Sequence, residues 1–135
     1  MSDNRKKSIN GKTLEEFFES KTGLKKIAQK DKPSFQNSLG ENQIIDFDFK
    51  TNINGTDVLI DLTTTFRADR IKQKAYNALM YKTHINENVM FYVGVGSLLE
   101  NGKVKKTTLI EGIDSIILVD ELIDLVNKPK NVLMV

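Results

Sequence analysis

Apolar and polar positions alternate on both sides of Asn54-Gly55, in the stretch IIDFDFKTNINGTDVLIDLTTT from Ile44 to Thr65. A period of two marks half-buried strands. An Asn-Gly pair between two such runs marks a hairpin, because a type I′ turn needs positive φ at both central residues. Strands are therefore expected at about 43–51 and 57–65. With Asn54 and Gly55 at the tip, Ile53 pairs with Thr56, Asp48 falls opposite Asp61, and Asp46 falls opposite Thr63. Side chains alternate along a strand, so Asp46, Asp48, Asp61 and Thr63 share one face. Ile45, Phe47, Phe49, Ile60 and Leu62 share the other.

The period changes elsewhere. KTLEEFFESKTGLKKIAQKD reads as a helix with Leu14, Phe17 and Phe18 as its apolar stripe. Thr13 and Glu16 have capping-box spacing, and Gly23 either ends the helix or begins a second short turn through LKKIAQ. KDKPSFQNSLGENQ is polar with Pro33 and Gly40, and reads as a loop. ADRIKQKAYNALMYKTH carries Ile71, Ala75, Ala78, Leu79 and Tyr81 at helical spacing. NVMFYVGVG is nearly all apolar, the mark of a strand buried on both faces. LENGKVKKTTLIEG is a loop or a peripheral hairpin. IDSIILVDELIDLVNK gives a strand at about 114–119 and a helix opening at Asp120, with Leu122, Ile123, Leu125 and Val126 packing back on the sheet. The resulting fold class is α/β, a mixed β-sheet flanked by helices. Residues 1–10 read as a flexible arm and 11–135 as one domain.

Composition narrows the chemistry. The 135 residues include 20 basic and 18 acidic side chains, a net charge of +2, so nucleic acid would have to be met through local basic patches. No apolar run has the length to cross a bilayer, and the polar, basic start lacks a signal-peptide core, so a cytoplasmic protein without membrane partners is expected. With no cysteine, disulfides and thiolate metal sites are excluded. His84 is the only histidine; it closes a helix and reads as an exposed cap rather than a zinc ligand. Gly94-x-Gly96 lacks the third glycine of a dinucleotide fingerprint, and Ser97 lacks the context of a hydrolase elbow.

The acids on the hairpin remain. Opposed residues have Cβ atoms about 4.5–5.5 Å apart, where like charges repel. Asp48 and Asp61 then need a divalent cation, a neighbouring Lys or Arg, or water. RADRIKQK directly follows the second strand and overlooks the same face; each of the other basic clusters, Arg5 to Lys7, Lys25-Lys26 and Lys103 to Lys106, reads as solvated surface, with phosphate contact as the alternative.

The order of a helix, an acid-bearing strand, a turn, an acid-bearing strand, a helix and a strand resembles the PD-(D/E)xK nuclease superfamily, which includes many restriction endonucleases. Ile45-Asp46 stands where Pro-Asp would be, and Asp61-Leu62-Thr63 stands where (D/E)-x-K would be. The resemblance spans about residues 11–126 and implies a restriction endonuclease-like fold. It implies a metal-dependent endonuclease cutting DNA, a restriction enzyme or its cleavage domain, with Mg²⁺ or Mn²⁺ as cofactor. It implies metal ligands at Asp46, Asp48, Asp61 and the Leu62 carbonyl. A helix glutamate also assists the metal in this family; Glu16 is the candidate taken, with Glu15 and Glu19 as alternatives. Thr63 replaces the motif lysine. In some members that lysine migrates to the next helix, which makes Lys72 and Lys74 catalytic candidates and, with Arg67 and Arg70, candidate DNA contacts. Other members tolerate a non-lysine residue at the position, and a third explanation is lost catalysis. So small a core implies a homodimer or a partner subunit for sequence recognition. Two other classes stand beside the nuclease: a catalytically silent module on the same fold that binds nucleic acid or a protein, and a structural α/β domain whose acids form an exposed edge.

Overall fold

The computed structural model describes residues 11–97, 99–100, 103–104 and 110–128. The expected arm at 1–10 and the cluster at Arg5 to Lys7 lie outside them, as do Lys105 and Lys106. The chain begins with α1 (Gly11–Thr22), a 3₁₀ turn (Gln29–Asp31) and two short strands, β1 (Ser34–Gln36) and β2 (Asn42–Ile44). The hairpin strands β3 (Phe49–Ile53) and β4 (Thr56–Thr63) follow, then α2 (Ala68–His84) and β5 (Val89–Val95). Two-residue strands β6 (Leu99–Glu100) and β7 (Lys103–Val104) precede β8 (Ser115–Leu118) and α3 (Val119–Asn127).

The main sheet runs β3-β4-β5-β8, with β3 antiparallel to β4 and the other two pairings parallel. It is thus a mixed sheet in an α/β protein, as the pattern predicts. Asn54 and Gly55 have φ of 52° and 88°, and Ile53 pairs with Thr56, the expected turn and register. β6 and β7 pair antiparallel, the hairpin alternative for that segment.

Both faces of the sheet are covered. On one, Leu59, Phe91, Val93 and Val95 pack under Ile71, Ala75, Ala78 and Tyr81 of α2. On the other, Val58, Ile60 and Leu62 pack with Leu14 and Phe18 of α1 and with Val119, Leu122 and Ile123 of α3. Burying apolar side chains on both faces is the main stabilising term here. The Phe18 ring lies 4.9 Å from that of Phe49, which fixes α1 against the hairpin.

Five expectations are corrected. The strand expected at 43–51 is broken: β2 ends at Ile44, β3 begins at Phe49, and a bend falls at Asp48. Ile45 and Phe47 therefore pack on the α2 face while Phe49 packs on the α1 face, so the five apolar residues do not share a side. The segment expected to be a loop at 30–43 contains β1 and β2, which pair with each other. Its turn is made by Asn37, whose side-chain oxygen accepts from the Leu39 and Glu41 N–H groups at 2.9 Å; such Asx turns substitute a side chain for a backbone partner. Thr13 lies inside α1 rather than capping it, since the helix already includes Gly11. Phe17 is 40% exposed, outside the core stripe.

Gly112 holds a φ of +96°, and a Cβ there would sit 2.7 Å from Leu79 Cγ and 3.0 Å from the Ala75 carbonyl oxygen. Gly55 also has positive φ, with open space around it. Gly112→Ala therefore carries both backbone strain and a clash against α2, and Gly55→Ala carries strain alone. Urea denaturation should show Gly55→Ala losing on the order of 1 kcal/mol and Gly112→Ala losing roughly 1–2 kcal/mol more.

Candidate functional site

β4 carries Asp61 and Thr63 at its carboxyl end, on the face that looks toward α2. Ligands favour this end of the strands in open α/β sheets. Asp61, Leu62 and Thr63 line an open cleft of about 650 Å³, closed on its other sides by Gln43, Ile44 and Asp46 and by Arg70, Gln73, Lys74 and Asn77 of α2.

Asp48 is the acid that meets Asp61. Its N–H donates at 2.9 Å to the carbonyl of Ile60, the residue already paired with Phe49, so Asp48 steps out of the hairpin register at this point. Its carboxylate accepts the Leu62 N–H at 2.9 Å, one residue beyond Asp61. Its own carbonyl accepts the Ile27 N–H at 2.9 Å. Three strong backbone contacts thus hold a bend residue beside Asp61. Burial raises the Asp48 pKa to about 7, assisted by the charge of Asp61 and a hydrogen bond between the two carboxyl groups; the Leu62 N–H and Lys74 oppose the rise. Near neutral pH Asp48 is therefore poised between its protonated and its charged form.

Lys74 supplies the nearest positive charge. Its Nζ lies 2.7 Å from Asp61 Oδ2, and its side chain is 15% exposed. The lysine sits three residues before Asn77 and one before buried Ala75, so it lies on the flank of α2 that borders the sheet. Lys72 is exposed and does not line the cleft. Arg70 lines the cleft, while Arg67 is exposed at the start of α2 and bonds Asp69 at 3.3 Å. Thr63 is buried, its hydroxyl donating to the Thr65 carbonyl at 3.3 Å.

Glu15, not Glu16, reaches the site from α1. Leu14 and Phe18 anchor that helix, which turns Glu15 toward Asp48 and leaves Glu16 about 100° further round, exposed to water. Burial raises the Glu15 pKa, a rise the Lys26 hydrogen bond opposes; the charge of Asp48 and a hydrogen bond with it add to the rise. Lys26 Nζ lies 3.0 Å from Glu15 and 4.0 Å from Asp48. That hydrogen bond with Glu15 raises the Lys26 pKa. Glu19 accepts the Lys26 backbone N–H at 2.7 Å and so shapes the loop rather than the site.

Asp46 borders the cleft but does not take the motif position expected for it. Its side chain is 66% exposed and pairs with Lys32, and its N–H donates to Asn77 Oδ1 at 3.0 Å. The expected pairing of Asp46 with Thr63 fails because the chain leaves β4 at the Asp48 bend. Buried Asn77 holds that departing segment and was not visible in the sequence: a polar residue on the inner face of α2 is the only signal it leaves. His84 is exposed at the end of α2, as expected, with its ring stacked on Phe35 at 4.4 Å between centroids.

The donors suit a small hard cation. Mg²⁺ is commonly held by one or two carboxylates with waters and substrate oxygens, and Asp48 and Asp61 are two adjacent buried carboxylates, of which Asp61 lines the cleft. Among the described residues no three acidic or histidine side chains surround a common point. Glu15 meets Asp48, and Asp48 meets Asp61, as successive contacts. No described helix is long and apolar enough to cross a membrane.

The raised pKa of Asp48 fixes a sign for stability. Between about pH 4 and pH 7 the unfolded Asp48 gives up its proton before the folded one does. Its contribution is therefore full below about pH 4 and lost as pH rises through 7. Asp48→Asn keeps an acceptor for the Leu62 N–H without the charge. In metal-free buffer, its stability relative to the natural chain should rise from pH 4 to pH 8 by on the order of 1–3 kcal/mol, read by urea denaturation. No family model matches the chain, and comparison with curated proteins and with solved structures likewise finds no match.

Proposed function

We propose that the chain is a metal-dependent endonuclease of the PD-(D/E)xK type that hydrolyses DNA phosphodiester bonds at the cleft lined by Asp61 and Lys74, with Asp48 beside Asp61. The observation that carries this reading is the 2.7 Å contact of Lys74 with Asp61. A helix lysine reaches the acid of the second strand, which is the function a motif lysine at Thr63 would otherwise serve. The adjacent buried carboxylates, a neighbouring helix glutamate and an open cleft support the same reading.

Asp48 and Asp61, with the Leu62 carbonyl, would hold Mg²⁺ or Mn²⁺, which when bound supplies an acidified water and charge neutralisation at the phosphate. The chain's own groups do the rest. Asp61 fixes the Lys74 ammonium at the rim of the cleft. Lys74 stabilises the negative charge that grows on the phosphate in the transition state. Arg70, on the same wall, contacts a phosphate of the bound strand. Glu15 orients Asp48 from the far side. Thr63 carries no charge and takes no part in this stabilisation. The narrow fold leaves recognition of a DNA sequence to a second copy or a partner subunit, and the reading implies a cytoplasmic protein.

Supercoiled plasmid incubated with the protein and Mg²⁺ or Mn²⁺ should be nicked. Asp61→Asn and Lys74→Met should each lower the rate by about 10²-fold or more, the scale of losing one catalytic charge. Lys72→Met should stay within about threefold of the natural chain. Equal loss on Lys72→Met and Lys74→Met would reject Lys74 as the migrated lysine. Plasmid binding with no nicking in either metal would favour the silent module on this fold.

A further inference from the structure

The cleft side of the acid pair has Lys74; the opposite side has a second lysine that no motif points to. Lys26 follows α1 on a loop whose course is set by three contacts. Gly23, with φ of +77°, ends the helix, and its N–H donates to the Glu19 carbonyl at 2.8 Å. The Lys26 N–H donates to the Glu19 carboxylate at 2.7 Å. The Ile27 N–H then ties the loop to the carbonyl of Asp48. The backbone is held, and the side chain is directed over Glu15 and Asp48.

The two lysines differ in freedom. Lys74 rises from the middle of a 17-residue helix and is 15% exposed. Lys26 springs from a loop and is 42% exposed, so its ammonium can leave for water by rotamer changes alone. Its Nζ stands within 4.0 Å of an Asp48 oxygen, the group that would ligate a divalent ion. Two cations sharing one carboxylate at that range repel each other.

We infer that Lys26 is a tethered counter-cation that neutralises Glu15 and Asp48 in the metal-free protein and is displaced from Asp48 when a divalent ion binds. Lys26 is a positioning residue in this scheme: it keeps the acids in place while the site is metal-free and sets a threshold on metal binding. The inference rests on the metal-dependent reading of the cleft. It predicts that the protein responds to divalent ion concentration more weakly than its two carboxylates alone would.

The test is Mn²⁺ binding to the full chain at pH 7.5, read by loss of the free-ion electron paramagnetic resonance signal. Lys26→Met should bind Mn²⁺ about threefold to tenfold more tightly than the natural chain, the scale of one partly exposed ion pair. Lys26→Gln provides the same removal of charge should the methionine variant fold poorly. Lys26→Arg, which keeps the charge, should bind like the natural chain. Unchanged or weaker binding in both charge-removing variants, with normal binding by the natural chain, would overturn the role of Lys26 and leave the metal site standing. An absence of Mn²⁺ binding in all of them, or binding that Asp61→Asn leaves intact, would overturn both the inference and the metal-dependent reading beneath it.

Discussion

Asp48 is held against β4 by the hydrogen bond from the Leu62 N–H to its carboxylate, and much of the molecule is arranged around that contact. It places a buried acid next to Asp61 on the neighbouring strand. Two carboxylates so close are unfavourable without a positive partner. The structure answers with one lysine on each side, Lys74 from α2 and Lys26 from the loop after α1. The hairpin acids, Glu15 of α1, Lys74 of α2 and Lys26 of the loop after α1 form a single charge arrangement.

The same contact explains a departure from regular structure. A straight strand from 43 to 51 would have carried Asp46 and Asp48 outward together. The bend at Asp48 instead lets the chain leave β4, turns Ile45 and Phe47 under α2, and sends Asp46 to Lys32. The Phe47 and Tyr81 rings meet nearly perpendicular with centroids 5.7 Å apart, and Asn77 takes the Asp46 N–H. Apolar burial and a buried amide thus stabilise a break that opens the cleft. In place of ladder contacts, the Ile45 N–H donates to the Pro33 carbonyl at 2.9 Å and the Asp46 N–H to Asn77 Oδ1 at 3.0 Å.

Sequence and structure agree where a strong local rule operates. Asn54-Gly55 determined the hairpin register because few residues accept two positive φ values. The α2 pattern from Ile71 to Tyr81 and the apolar run of β5 were legible because each buries a continuous face. Legibility failed where a tertiary contact overrode the local pattern. Asp46 and Asp48 sit two residues apart with similar neighbours, and only the bend separates their roles. Glu15 and Glu16 differ by one step around a helix, which the stripe of Leu14 and Phe18 resolves once Phe17 is excluded from the core. Lys72 and Lys74 pose the same problem on α2. The pairing of β1 with β2 rests on three-residue strands and an Asx turn, too short for periodicity to register. Lys26 was invisible as a site residue because its approach to Asp48 is made through space, across a turn set by Gly23.

The central proposal is that Asp48 and Asp61 together hold a divalent cation beside the cleft that Asp61 lines. A crystal of the protein soaked in Mn²⁺ and measured near the manganese absorption edge tests it most directly. The account predicts one anomalous peak about 2.0–2.4 Å from an oxygen of each carboxylate, with Lys74 still at the rim. A well-diffracting crystal at millimolar Mn²⁺ with no peak between those two side chains would contradict it, as would a peak confined to other surface acids.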